Sequence, residues 1–192
     1  MKYTSQISLS NEIVSALVPY CPQEFYNHYT FTDIRPFKWA GYDCNVRYTY
    51  VVDENITKEL LEKQTRYEIN RYESGFIEGG IDLFDDFYGN TFLRKGIART
   101  ASSELIRRLY HVIPNHLYMT EDAGVIMIRD SKRSYYILGA SRDGGSSAFC
   151  LWEAIKAEGR EVDLVGCNDY NIHLFKRGFS GKLMAYYGVT NV

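Results

Sequence analysis

The sequence has almost no net charge: 22 Lys and Arg against 24 Asp and Glu leave a formal −2. That excludes a global field for nucleic acid, so DNA is not an expected partner. An RNA would need a local basic patch, for which Arg129, Lys132 and Arg133 are the candidates. No run of ~18 apolar residues occurs, which argues against a membrane span. The N-terminus, MKYTSQISLSNEIVSALVPY, has one Lys and breaks its apolar stretch with Asn11, Glu12 and Ser15. It reads as an amphipathic helix over residues 9–20 and not as an export signal, which points to the cytoplasm. Cysteine is sparse: Cys21, Cys44, Cys150 and Cys167 are scattered with no CxxC pair, against a disulfide framework or zinc site. No GxxxxGK[ST] loop, GxGxxG fingerprint or GxSxG elbow is present, against an NTPase, a dinucleotide enzyme or a serine hydrolase. None of His28, His111, His116 and His173 is spaced recognisably from a Cys or Ser.

What the chain does have is rings. Seventeen Tyr and ten Phe suggest a sheet with Tyr at its rims or a pocket lined by aromatics. At 192 residues, 45% hydrophobic and 24% charged, the chain suits one globular domain, with or without a helical extension. Residues 21–45 are irregular and aromatic, an expected packed arm with extended pieces. Arg47–Asp53 alternates like a strand, and Thr57–Tyr72 follows as a helix with Leu61, Thr65, Ile69 and Tyr72 on one stripe. A short strand is expected at Phe76–Glu78. A helix capped by Asp82 should bury Leu83, Phe84, Phe87, Tyr88 and Phe92 and stop at Gly96. A further helix from Ser102 or Ser103 should turn Leu105, Leu109, Val112 and Ile113 inward.

The period then becomes strand-like. His116–Thr120, Gly124–Ile128 and Ser134–Gly139 read as strands, the first two joined by an unusually short connection. Ser146–Glu158 reads as a helix with Ala148, Leu151, Trp152 and Ile155 inward, and Val162–Val165 as a short strand. Asp169–Arg177 is a short helix, and Leu183–Val189 a last strand. Segment 134–165 thus has the size of a βαβ unit with parallel strands and a right-handed crossover. The loop leaving its first strand, Gly139-Ala-Ser-Arg-Asp-Gly-Gly-Ser-Ser147, lies at a helix N-terminus. Its Gly144 and Gly145 allow close backbone approach. Ser141, Ser146 and Ser147 can add hydroxyl donors and Arg142 a charge, the features of an anion or oxyanion site. A turn with an N-cap would need the same residues. Lys176 and Arg177 occupy a last helical turn, where the dipole alone favours cations. Lys176 also follows the strand beside 134–139, so its ammonium can share one sheet edge with the loop and stabilise an acyl-transfer oxyanion.

Six ordered blocks carry a resemblance: PFKWAGYDCNVRYTYVVD (36–53), TRYEINRYESG (65–75), DLFDDFYGNTFLRKGI (82–97), SYYILGAS (134–141), LWEAIKAEG (151–159) and NIHLFKRGFSGKL (171–183). Over about three-quarters of the chain they resemble the GNAT-like half of the Fem-type (FemABX) peptidoglycan aminoacyltransferases. The resemblance implies an α/β (α+β) fold, a GNAT-like mixed sheet flanked by helices on both faces. It implies a domain over 46–192, preceded by residues 1–45 as the remnant of another half-domain. It further implies transfer of an acyl or aminoacyl group to an amine, such as that of a peptidoglycan precursor. No cofactor is permanently bound, the donor being aminoacyl-tRNA or acyl-CoA. The acetyl-CoA pyrophosphate motif Q/R-x-x-G-x-G/A is not visible. By resemblance the family's Phe-Lys pair falls on Phe175 and Lys176, and its Arg-bearing helix on Arg66 and Arg71, facing the acceptor. In such a transfer a positioned base, a backbone carbonyl or a Tyr such as Tyr135 or Tyr136, would take the proton. A second copy of the chain is a candidate partner for completing the cleft. A non-catalytic binding or assembly module is the reading from another class.

Overall fold

The computed structural model describes residues 16, 23–72, 75–142 and 146–191. The expected helix over 9–20 lies, but for one residue, outside them, as do Cys21, Gly144 and Gly145. Two compact units are present: the described residues up to Thr49 with those from Leu183, and Tyr50–Lys182.

The first unit holds β1 (Glu24–Tyr26), α1 (Arg35–Trp39), the start of β2 (Tyr42–Val52) and most of β7 (Lys182–Asn191), in sheet order β1-β7-β2. β1 and β7 run antiparallel, pairing Phe25 with Val189. Pro36 starts α1, where its missing N–H costs nothing. The helix turns Phe37 onto Tyr42 and Val189, with Phe25 meeting Phe37 edge-on at 5.4 Å. The aromatic arm is therefore packed.

The second unit holds the end of β2, a 3₁₀ turn (Lys58–Leu60), α2 (Lys63–Asn70), α3 (Ile81–Lys95), α4 (Ser103–Val112), β3 (Asn115–Met119), β4 (Ala123–Arg129), β5 (Ser134–Ser141), α5 (Ser147–Glu158), β6 (Val162–Asp163) and α6 (Tyr170–Arg177). Its strands run β2-β6-β5-β4-β3, with β5 and β6 parallel and the other pairs antiparallel, so the sheet is mixed. Val125 and Met127 face α5, whose Leu151, Trp152 and Ile155 are buried; Ile126 between them faces α3 and α4. Strand alternation thus feeds two cores, one on each face of the sheet. This is the GNAT-like arrangement that the resemblance implies. Gly96 and Gly159, both left-handed, end α3 and α5.

Five local expectations are corrected. The helix expected over 57–72 is broken, because buried Leu61 is extended (φ −66°, ψ 150°) between the 3₁₀ turn and α2. Phe76–Glu78 is no strand; only the Ile77 N–H reaches Met119 O, at 2.8 Å. Gly80, not Asp82, precedes α3, and Asp82 in the first turn instead binds Arg107. In α4 the buried residue is Ile106, while Leu105 and Val112 are 52% and 70% exposed. The β3–β4 connection is an ordinary tight hairpin, Thr120 N–H donating to Ala123 O at 2.8 Å.

Candidate functional site

β5 and β6 start side by side and then part. Their pairing ends at Tyr135 and Asp163, while β5 continues to Ser141. Past Asp163 the chain follows β2, Leu164 N–H donating to Tyr50 O at 2.8 Å, and Val165 takes φ 52°. A β-branched residue pays about 1–3 kcal/mol for such a conformation, which marks a constrained turn. Backbone groups of β5 beyond Tyr135 that face away from β4 are therefore past the last rung of the β5–β6 ladder.

A bulge determines what points into this gap. Ile126 pairs with Leu138 and Met127 with Tyr136, so Ile137 is an extra residue in β5. One extra residue reverses side-chain parity. Leu138 and Ala140 accordingly join the α3 side, whereas Tyr136 packs on the α5 side. There the Tyr136 ring lies along its own strand over Gly139. A Cβ at Gly139 would sit 1.8 Å from the Tyr136 hydroxyl, so glycine is what lets the ring lie down.

Lys176 enters from across the gap. Asp169 caps α6 by accepting from the Asn171 and Ile172 N–H groups, which fixes the helix that carries Lys176. The Lys176 ammonium donates to Val165 O and, at 2.8 Å, to Gly166 O, and lies 5.3 Å from the Tyr136 ring centroid. The residue is 8% exposed, and burial pulls its pKa down to about 8, opposed by Cys167 and Asp163. Two of its three N–H donors are used by the carbonyls, which leaves one for another oxygen. Burial raises the Tyr136 pKa, so its phenol keeps its proton at neutral pH. Tyr135 is similar: burial, then its bond to Asp130 at 2.6 Å, raises it. Phe175 packs edge-on against Phe179 at 5.5 Å, a core contact.

The loop after β5 is held from the other face. Thr91 Oγ accepts from Ser141 N–H and donates to Ser141 O, both at 3.0 Å, and Arg94 donates to Arg142 O at 2.6 Å. The Arg142 guanidinium lies over Phe87 at 5.3 Å, on the α3 side. Ser146, just before α5, is buried, and its hydroxyl has no partner among the described residues; Ser147 opens the helix. The structure thus joins Lys176 with Tyr136 at the gap, places Ser146 and Ser147 at the start of α5, and turns Arg142 to the opposite face.

Arg66 in α2 and Arg71 just after it are engaged locally, Arg66 with Glu59 O at 3.2 Å and Arg71 over the Tyr67 ring at 5.8 Å. Of the basic trio, Arg129 is bound to Glu158 and Arg133 to Glu161 at 3.1 Å. Burial pushes the Cys150 thiol up to about 12, so it is inert at neutral pH. Among the described residues no cluster of His, Cys, Asp and Glu could hold a metal, and no helix is long and apolar enough to cross a membrane.

Gly139, Thr91 and Arg94 were not singled out from sequence. A glycine inside a strand signals close approach; Thr91 and Arg94, three apart, share a helix face.

No family model matches the sequence, and no curated protein matches it either. Solved structures do. FemX superposes with a TM-score of 0.61 at 9% identity, over 80% of this chain and 67% of that one. The C-terminal domain of a putative lysylphosphatidylglycerol synthetase from Agrobacterium fabrum gives 0.60 at 13% identity, over 94% and 71%. L-PGS from Bacillus licheniformis gives 0.51 at 10%, over 83% and 65%. At these identities the likeness is one of fold, a mixed sheet flanked by helices.

Proposed function

We propose that this chain is an acyl- or aminoacyltransferase that moves its group onto an amine of a cell-wall or surface-polymer precursor. The observation that carries the reading is the splayed β5–β6 gap, with the buried Lys176 ammonium held across it against Tyr136. The acceptor's neutral amine attacks the acyl carbonyl carbon and a C–N bond forms. The free Lys176 N–H meets the developing oxyanion. The carbon's bond to the ribose oxygen of an aminoacyl-tRNA, or to the sulfur of an acyl-CoA, then breaks. The leaving group takes up, through solvent, the proton that the acceptor amine gives up, while the Tyr136 phenol, held protonated by burial, can hydrogen-bond it. Ser146, Ser147 and the α5 N-terminus, with Gly144 and Gly145 before them, would receive the donor's phosphates, while Ser141, bonded to Thr91, anchors the loop. Arg66 and Arg71 remain the acceptor-side candidates. The fold neighbour named for lysylphosphatidylglycerol favours, as a second reading, a lipid headgroup as acceptor.

Purified chain incubated with labelled aminoacyl-tRNA or acetyl-CoA, and with a lysine-bearing muropeptide or phosphatidylglycerol vesicles, tests this. Transfer to one acceptor, abolished by Lys176→Ala and retained by Lys182→Ala, is the expected result. Saturable donor binding with no transfer to any acceptor would instead make the chain a binding module.

A further inference from the structure

On the α3 side, away from the gap, lies a second group of charged side chains. A cavity of about 400 Å³ is lined by residues that include Asp85, Asp86, Gly89, Asn90, Arg99 and Arg142. Asp85 is buried and bound to Arg99, with Arg107 3.8 Å from its other oxygen. Burial alone would raise its pKa, but bonds from Ser103 and Arg99 and the charge of Arg107 outweigh this and keep it ionised. This network holds Arg99 at the cavity wall. Arg142, over the Phe87 ring, is only loosely paired with Asp122 at 3.8 Å, so most of its fork is available. Asp86 is exposed; the charge of Arg107 reaches it, but it accepts no hydrogen bond and forms no close ion pair among the described residues. The wall therefore offers a free carboxylate, an available guanidinium and a carboxamide, with two acidic and two basic side chains in balance.

Gly89 is the second clue. Glycine within a helix is disfavoured relative to alanine. No close contact demands it here: an added Cβ would meet only Arg99 Nη1, at an ordinary 3.6 Å. What the missing methyl preserves is space in the cavity.

We propose that this cavity binds a small zwitterion of the α-amino-acid class, its ammonium on Asp86 and its carboxylate on Arg142, with Asn90 beside them. A simple anion would meet Asp86, and a simple cation would meet Arg142; a zwitterion satisfies both. The site is separate from the proposed transfer reaction and is tested by binding alone. Titration calorimetry of the full chain with the common L-α-amino acids should find at least one saturable ligand. Its amide and its N-acetyl derivative should each bind at least about tenfold more weakly, as should Asp86→Asn and Arg142→Gln for the parent ligand. Gly89→Ala should weaken binding without lowering the melting temperature, and Lys176→Ala should leave binding unchanged. Absence of saturation by any amino acid at ~10 mM, or equal binding of the singly charged derivatives, overturns the proposal.

Discussion

The two ends of β5 are built on opposite rules. Where the strand begins, the fully buried Glu158 carboxylate accepts from Tyr118 at 2.8 Å, from Arg129 and from Ser134, with His116 3.5 Å away. Burial and this carboxylate push the Tyr118 phenol up to about 12. Polar groups there are matched to one another. Where the strand ends, the sheet splays, a lysine is buried without a carboxylate bound to it, and the Ser146 hydroxyl is left over among the described residues. Burying polar groups without mutual satisfaction costs stability, so such groups belong where a ligand completes them. Open parallel sheets bind at the carboxyl ends of their strands for the same reason. The first end secures the fold, and the second is the candidate site.

Breaking the closed end should have the largest effect on folding. Glu158→Ala would strand Arg129, Ser134 and Tyr118, an expected loss of about 3–5 kcal/mol in urea unfolding; a loss below about 1 kcal/mol would contradict the assignment. Burial raises the Glu158 pKa, but bonds from Arg129, Ser134 and Tyr118 outweigh it, and the net shift is downward from 4.5. Its contribution should thus be complete above the unfolded-state value and disappear as pH falls through the lower folded one.

The open end should answer in reverse. Lys176→Met keeps a long side chain and removes the charge, so stability at pH 7 should change by no more than roughly 1–2 kcal/mol, desolvation relief offsetting two carbonyls left unpaired. Transfer should nevertheless fall about 10²–10³-fold. In the wild type, the lysine's pKa of about 8 in the fold, against its ordinary 10.5, disfavours the folded state most below pH 8. As pH rises from about 8 toward 10.5, wild type should gain stability relative to Lys176→Met, by roughly 1–3 kcal/mol. Activity should decline over an alkaline limb centred near 8. A pH-independent stability difference would show that the ammonium is not buried as described.

Much of this was readable from the chain, and what was not has definite causes. The βαβ unit was legible because α5 is apolar over most of its length, a glycine stops it and strands bracket it; Phe149, Cys150 and Ala154 are buried beside the expected stripe. The α4 stripe was misread because SELIRRLYHV contains two overlapping stripes that share Leu109. Ile106, Leu109 and Tyr110 pack against the α3 core, and only that tertiary partner selects them over Leu105 and Val112. Lys176 could be placed at the right sheet edge from its position after β6. Tyr136 could be named as a candidate, but its contact with Lys176 was out of reach, because SYYILGAS reads as one unbroken strand and nothing local reveals the extra residue at Ile137. In a regular strand without the bulge, Tyr136 would share a face with Leu138 and Ala140. Arg142 illustrates the same limit, since its direction depends on parity along β5, which sequence spacing does not report.

Gly139→Ala separates the ring's placement from the lysine's charge. The new methyl would overlap the Tyr136 hydroxyl, 1.8 Å from the ideal Cβ, so the ring must lift off β5 while Lys176 keeps its bonds to Val165 and Gly166. The expected cost is about 1–3 kcal/mol, the range for overpacking a filled site, and less than that of Glu158→Ala. Tyr136→Phe removes the nearest atom but leaves the ring carbon 2.7 Å away, so the double variant should recover only part of the loss. Additive single-variant costs in that cycle would mean that the ring does not lie over Gly139, because residues in contact couple and distant ones do not. Recovery of stability without recovery of transfer would assign Tyr136 a chemical role, since a ring that only filled space would restore both.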